Sequence, residues 1–266
     1  VKIRPAYTYL YLLLTGLYTA ALAGGSLAQQ LVFVVLAAAL AVALWQKARD
    51  EVPYLLDPAA SPPARVSALH GLIAAMLFFT LQTLALLLLK GKVAAPLAQM
   101  AIAFGGAGAL TYVLLRLVYW RSKTASVPRM ARGRHPWRWG TAGAAVSALC
   151  GIAYTLVLQP PAAAVGGSSW DSLWLLALGV LAAPLCEEFI FRGLIQGGLR
   201  RSLPAWQAIG TGAALFAIVH PPASMLPVFV LGVCTGIAYE RSGALLAPML
   251  THALYNAAML GYQLNR

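Results

Sequence analysis

The stretch Leu173–Leu199, LWLLALGVLAAPLCEEFIFRGLIQGGL, decides the fold class of this chain. It has the length and apolarity of a membrane-spanning helix, for which about 20 apolar residues are enough. Two adjacent acids, Glu187 and Glu188, interrupt it, although the whole chain has only 7 acidic residues. A charge in hydrocarbon is costly, so an ionisable residue at this depth indicates a functional site with a partner. Arg192 is the candidate partner, because it follows Glu188 by four residues and shares its helical face.

Glu187 points about 100° away from Glu188 around the same helix. We therefore interpret Glu188 and Arg192 as a supporting ion pair and Glu187 as the residue available for chemistry. A purely structural salt bridge is the simpler explanation for the pair, but it leaves Glu187 unexplained.

The composition places the chain among integral membrane proteins. Of 266 residues, 61% are hydrophobic and 10% are charged, and the mean hydropathy is +0.76. Soluble globular chains average about 45–50% apolar and about 25% charged residues. The net charge of +12 comes from basic residues that lie mostly between apolar runs. This pattern indicates membrane topology and contact with anionic headgroups, and we expect no nucleic-acid partner.

Nine apolar segments predict an all-α, polytopic membrane helical bundle with about eight to nine transmembrane helices. The first segment is interpreted as a retained span, since another apolar run follows it at once. The predicted segments lie near Ala6–Ala23, Leu31–Trp45, Val66–Leu89, Ala94–Trp120, Thr141–Leu158, Ser172–Leu199, Trp206–His220, Leu226–Tyr239 and Ala244–Leu264.

A basic loop, residues 121–140, divides the chain. It carries Lys and Arg but no acid, which is typical of a cytoplasmic segment. We predict that residues 1–120 form an N-terminal four-helix membrane region of unknown role and that residues 141–266 form the catalytic membrane domain. Lys2 and Arg4 predict a cytoplasmic N-terminus, in a multi-pass protein of a prokaryotic inner or plasma membrane. The sequence gives no indication of the oligomeric state.

Histidine and cysteine outside the main motifs are expected to be unreactive. Cys150, Cys186 and Cys234 lie in apolar segments without disulfide-like or zinc-like spacing, so we expect free thiols. We interpret His70, early in its span, as a packed or interfacial histidine.

Two further segments carry polar groups at membrane depth. Phe216–His220 ends one span directly before two prolines, Pro221 and Pro222. Prolines force the chain out of a helix, and broken backbone in a membrane is tolerated only inside protein or beside a watery cavity. His252 and Asn256 share one face of the last helix.

We expect Glu187, His220, His252 and Asn256 to converge, and this set supports water chemistry. A buried carboxylate can act as a general base with a histidine beside it. A histidine and an amide can donate hydrogen bonds to a developing oxyanion. Alternatively, Glu187, His220 and His252 could hold a divalent metal such as zinc, although the chain has no HExxH pair. The cofactor is therefore either none or a divalent metal.

The three motifs Glu187–Arg192 (EExxxR), Phe216–His220 (FxxxH) and His252–Asn256 (HxxxN) resemble those of the CPBP family of intramembrane proteases. Its members include the type II CAAX prenyl endopeptidases (Rce1-like) and the bacterial Abi proteins. The resemblance covers residues 141–266 and not the first four helices.

The resemblance implies a role for each motif residue. Glu187 and His220 would activate water, and His252 and Asn256 would form the oxyanion hole. Glu188 and Arg192 would support the helix, and Phe216 is expected to pack rather than react. We favour the metal-free version of this mechanism.

The function expected from this resemblance is an endopeptidase that cleaves a membrane-associated protein or peptide near its C-terminus. The substrate would be prenylated, lipidated or C-terminally anchored. Two alternatives remain open. A proton-coupled transporter would use the same acids and histidines as a relay, but it predicts inverted halves and the sequence shows no such symmetry. A non-catalytic immunity or scaffold protein would not need the histidines.

Overall fold

A computed structural model of the chain describes residues 68–93, 95–120, 130, 133–158, 169–200 and 203–264. Every regular element in these ranges is a helix, which confirms the predicted all-α membrane bundle. The two predicted spans near Ala6–Ala23 and Leu31–Trp45 lie outside the described residues. Most of the basic loop, residues 121–140, lies outside them as well.

The helices of the described ranges are numbered here in chain order. Four of them, α2, α3, α4 and α6, are long and apolar enough to cross a membrane, and α1 and α5 contain shorter apolar stretches. Their bounds are α1 Ala68–Leu89, α2 Pro96–Trp120, α3 Pro136–Leu158, α4 from Ser169 to Leu199, α5 Ala205–Ile218, α6 Met225–Ser242 and α7 Leu246–Leu264.

The start of α3 differs from the prediction. The helix begins at Pro136, inside the segment that we assigned to the basic loop, and not at Thr141. Proline is well suited to a first helical position, because its fixed φ fits the helix and its missing N–H would have had no partner there. A hydropathy window misses this turn, since Arg138 and its proline and tryptophan neighbours lower the average.

Helix α4 is not uniform. Its segments Ala177–Ala182 and Phe189–Gln196 are π-helical, and the remainder is α-helical. A π turn holds more residues than the 3.6 of an α turn, so a mixture of both has a period near four. Arg192, Gln196 and Arg200, spaced four apart, lie on the face of α4 whose side chains reach α6. The sequence analysis predicted a continuous helix and did not foresee this feature.

The predicted helix break at Pro221 and Pro222 is confirmed. Helix α5 ends at Ile218, and a short 3₁₀ turn, Pro222–Ser224, leads into α6. The hydroxyl of Tyr154 on α3 donates a hydrogen bond of 2.8 Å to the carbonyl of Ala223, which ties the turn to the bundle.

Helix α4 occupies the centre of the described bundle and packs against α1, α2, α5, α6 and α7. On the opposite side, α3 packs against α6 and α7 through small buried residues spaced three or four apart. Small residues let helices approach closely in a membrane, where no hydrophobic force drives helices together. These buried residues are Gly140, Ala144, Ser147, Gly151 and Thr155.

Candidate active site

Glu188 and Arg192 form an ion pair inside the bundle. Arg192 Nε lies 3.1 Å from Glu188 Oε2, and both side chains are fully buried. The two atoms are close but are not aligned as a hydrogen bond, so the attraction is mainly Coulombic. The i,i+4 spacing on α4 is what brings them together.

Arg192 also fastens α4 to its neighbours. Its Nη2 donates to the carbonyl of Gly232 at 3.2 Å and to the hydroxyl of Thr235, both on α6. Its guanidinium lies 4.6 Å from the centre of the Phe216 ring on α5, a cation–π contact. A buried cation is tolerated only when it is paired in this way. Arg192 therefore fixes the position of the glutamate pair relative to α5 and α6.

His252 on α7 connects the two glutamates. Its Nδ1 lies 2.9 Å from Glu188 Oε1, and its Nε2 lies 3.9 Å from Glu187 Oε2. An ionised carboxylate can only accept, so Nδ1 must be the donor. In the neutral ring, Nε2 then carries the lone pair and faces Glu187. The three residues form one chain of polar contacts.

Glu187 differs from its neighbour in having an uncommitted oxygen. Its side chain is 15% exposed, whereas that of Glu188 is 0% exposed. Its Oε2 is buried and has no hydrogen-bond partner among the described residues. The 3.9 Å to His252 is too long for a direct hydrogen bond, and such a gap suits a bridging group.

The rings of His220 and His252 both contact the ring of Phe216. The N–H at His220 Nδ1 donates to the carbonyl of Phe216 at 2.8 Å, so the lone pair of the neutral ring is on Nε2. The ring of Phe216, fully buried, is edge-on to His220 at 4.9 Å and to His252 at 5.6 Å between centroids. Phe216 therefore contacts both imidazoles and the guanidinium of Arg192.

Asn256 contacts α4 further along its length. Its Nδ2 donates a hydrogen bond of 2.7 Å to the carbonyl of Gly179, in the first π-helical segment. One of its two amide hydrogens remains for another acceptor. The spacing of His252 and Asn256 on one face of α7 directs both side chains at α4.

The described residues do not assemble a metal site. No group of three or more His, Cys, Asp or Glu side chains in these ranges is placed to hold a metal ion. Glu187, His220 and His252, the alternative ligand set, all lie in these ranges, and Nδ1 of each histidine has another partner. These hydrogen bonds leave Nε2 as the possible ligand atom of each ring, and we derive no step through a metal.

The remaining predictions concern cysteine and His70. Cys150, Cys186 and Cys234 are free thiols, as expected. The side chain of His70 lies outside what the structure describes.

The sequence analysis missed a polar ladder between α4 and α6. Gln196, 1% exposed, donates to the carbonyl of Gly236 at 3.1 Å and to Glu240 Oε1 at 3.3 Å. Arg200 Nε then lies 3.0 Å from the same Glu240 oxygen. The signal was the repeat of polar residues at every fourth position after Glu188, since residues four apart lie close together on a helical surface.

The described residues form a helical membrane bundle in which a buried glutamate–histidine cluster lies beside a helix break. These features define a class of membrane proteins with an intramembrane polar site. Residues 169–258 match the sequence model of a family described as type II CAAX prenyl endopeptidase Rce1-like. This match confirms the resemblance seen in the motifs. These residues are similar to this family, and all the motif residues fall within them.

One curated relative is similar over the same region. The membrane-embedded CAAX protease MroQ of Staphylococcus aureus (strain USA300) is 29% identical over 91 residues. The match covers 32% of this chain and 37% of MroQ, so it spans much less than the whole of either protein. No solved structure gave a significant match.

Proposed function

We propose that the chain is an intramembrane endopeptidase in which Glu187 removes a proton from a water molecule that attacks a peptide bond. The observation that carries this proposal is the buried Glu187 Oε2, which has no partner among the described residues and faces His252 Nε2 at 3.9 Å. A buried polar atom without a partner is costly and is commonly explained by a catalytic role. The Rce1-like match and the similarity to MroQ support the same chemistry.

The attacking water is held by acceptors. Glu187 Oε2 accepts one of its hydrogens, and Nε2 of His220 or His252 accepts the other, since both rings use Nδ1 as the donor. With both hydrogens accepted, an oxygen lone pair of the water is free to attack the scissile carbonyl. General-base assistance of this kind contributes roughly 10²–10⁴-fold to a rate.

The developing oxyanion needs donors. We assign this role to the second amide hydrogen of Asn256 and to His252 once it has taken up the proton through Glu187. Protonated His252 would remain stabilised by Glu188, 2.9 Å away, and would then return the proton to the leaving amine nitrogen. Preorganised donors of this type are worth roughly 10²–10³-fold each.

The proposed substrate is a membrane-associated protein or peptide, cut near its C-terminus. The apolar exterior of the bundle supports a substrate that reaches the site from the bilayer. A prenyl, lipid or helical anchor would each keep such a substrate in the membrane. The surrounding bilayer is expected to carry anionic headgroups opposite the basic loop.

The test compares Glu187→Gln with Glu240→Gln in proteoliposomes containing a panel of lipidated and C-terminally anchored peptides. Mass spectrometry of the new termini, with cleavage in ¹⁸O-labelled water, detects hydrolysis directly. We expect Glu187→Gln to lower the rate by about 10²–10⁴-fold and Glu240→Gln to leave it near wild type. Wild-type cleavage by Glu187→Gln would refute the assigned role.

A further inference from the structure

The position of Arg192 depends on α6. Within the described ranges, both hydrogen bonds of its side chain start at Nη2, one to the carbonyl of Gly232 at 3.2 Å and one to the hydroxyl of Thr235. Its Nε and Nη1 are buried without a hydrogen-bond partner in those ranges. The guanidinium is therefore held on α6 by one backbone carbonyl and by one side chain, that of Thr235.

The hydroxyl of Thr235 is oriented to accept. Thr235 is fully buried, and its hydroxyl donates back along α6 to the carbonyls of Leu231 at 3.0 Å and Gly232 at 3.1 Å. A helical threonine commonly bonds the preceding turn in this way. Because a hydroxyl has one hydrogen and two lone pairs, a lone pair remains for Arg192. The bond to α6 thus fixes the direction in which Thr235 offers this lone pair.

A continuous set of contacts connects Thr235 with the proposed catalytic base. Arg192 Nε lies 3.1 Å from Glu188 Oε2, and the other oxygen of Glu188 accepts a hydrogen bond of 2.9 Å from His252 Nδ1. Nε2 of His252 in turn lies 3.9 Å from Glu187 Oε2. A shift of the guanidinium away from α6 would therefore move Glu188 and turn the ring of His252 relative to Glu187.

We infer that Thr235 is a positioning residue for the hydrolysis proposed above, on which this inference rests. Thr235 fixes Arg192, and through Arg192 and Glu188 it sets the direction of the lone pair on His252 Nε2. Thr235 lies outside the three sequence motifs and is fully buried, so it acts through Arg192 and not on the substrate. A misplacement of about 1 Å near the reacting atoms can cost about 10²-fold in rate, so such a contact matters for kcat.

The perturbation is Thr235→Val, which keeps the shape of the side chain and removes the acceptor. One hydrogen of Arg192 Nη2 is then left unpaired in a buried place, and the guanidinium loses its side-chain contact with α6. We expect kcat to fall about 10–100-fold with KM nearly unchanged. Thr235→Ser, which returns the hydroxyl, should restore kcat.

Thr251 provides a matched control. It is also fully buried, it directly precedes His252, and its hydroxyl donates a hydrogen bond of 3.0 Å to the carbonyl of Gly140 on α3. Thr251→Val is therefore the same substitution with the loss of one buried hydrogen bond, but it leaves the contacts of Arg192 in place. We expect both valine variants to unfold at similar temperatures and Thr251→Val to keep a kcat near wild type.

The experiment measures kcat and KM in proteoliposomes, with a peptide that the wild type cleaves and with the monodisperse fraction of each variant well below its Tm. An equal loss of kcat in Thr235→Val and Thr251→Val overturns the inference, and so does a loss that Thr235→Ser does not restore. A rise in KM at constant kcat also overturns it, because Thr235 would then act on substrate binding.

A spectroscopic readout separates this inference from the proposed function. The chain has 4 histidines, so protein labelled with ¹⁵N-histidine gives few ring signals, and the signals lost in His252→Gln identify His252. We expect its Nδ1 signal to shift in Thr235→Val and to match wild type in Thr235→Ser and Thr251→Val. This result supports the positioning role even if hydrolysis is refuted. An unchanged His252 signal in Thr235→Val overturns the role even if hydrolysis at Glu187 is confirmed.

Discussion

Replacing Glu188 by glutamine should lower the stability of the protein, whereas replacing Glu187 by glutamine should lower its activity and leave its stability unchanged. Glu188→Gln removes the negative charge that faces Arg192 at 3.1 Å, in a place where both side chains are 0% exposed. The glutamine oxygen can still accept the N–H of His252, so the variant isolates the loss of the ion pair. Glu187→Gln removes a carboxylate that has no ion pair with Arg192 and should leave the fold intact.

The size of the stability loss in Glu188→Gln follows from the complete burial of Glu188 and Arg192. Breaking one partner of a buried ion pair leaves an uncompensated charge and costs about 3–5 kcal/mol. For a chain of this size, that corresponds to a loss in Tm on the order of 10 °C. The cation–π contact of Arg192 with Phe216 offsets only part of it, since such contacts are worth about 0.5–2 kcal/mol.

The assay is thermal unfolding of purified protein in detergent, followed by intrinsic fluorescence. Glu188→Gln should unfold well below wild type, and Glu187→Gln should unfold within about 2 °C of it. The double variant Glu188→Gln/Arg192→Met should recover much of the loss, because it also removes the orphaned cation. Equal destabilisation by both single variants, or no recovery in the double variant, would refute the reasoning.

Three further predictions test the packing around the site. Gly232→Ala places a Cβ 2.9 Å from the backbone of α5 and should lower the free energy of unfolding by about 1–3 kcal/mol. The control is Gly210→Ala, whose Cβ would have nothing within 4 Å. It should be neutral or stabilising in the same unfolding assay. Arg200→Gln breaks a partly exposed ion pair with Glu240 and should lower the free energy of unfolding by at most about 1 kcal/mol. A Tm loss as large as that of Glu188→Gln would contradict the argument that buried ion pairs matter more for stability than exposed ones. Tyr154→Phe removes the 2.8 Å hydrogen bond to the 3₁₀ turn. It should speed up hydrogen exchange in that turn and lower the free energy of unfolding by about 0.5–1.5 kcal/mol. Unchanged exchange would show that this hydrogen bond does not hold the turn.

Much of the fold could be predicted from the sequence because hydropathy and helix breakers are local. Apolar runs long enough to span a bilayer predicted the all-α bundle, and two consecutive prolines predicted the break after α5. The misplaced start of α3 and the π-helical segments of α4 could not be predicted in this way. Both depend on what the backbone gains by packing, which a hydropathy average does not contain.

In the candidate site, too, a contact within one helix could be predicted from the sequence, and contacts between helices could not. The spacing of Glu188 and Arg192 on one helix was sufficient to predict their contact, because i and i+4 are neighbours on any helical surface. The ladder from Gln196 to Glu240 was not predictable, since it depends on the packing of α4 against α6, which lie far apart in the sequence.

The sequence by itself determined which residues are costly in a membrane: two glutamates, an arginine, two histidines and an amide in otherwise apolar helices. Only the tertiary structure decided which of these residues contact one another. It sets one nitrogen of His252 on Glu188 and turns the other toward Glu187, so a single ring links the paired glutamate to the uncommitted one. The physical reason is that a histidine has two nitrogens on opposite sides of its ring, and only the packing of α7 against α4 fixes where each one points.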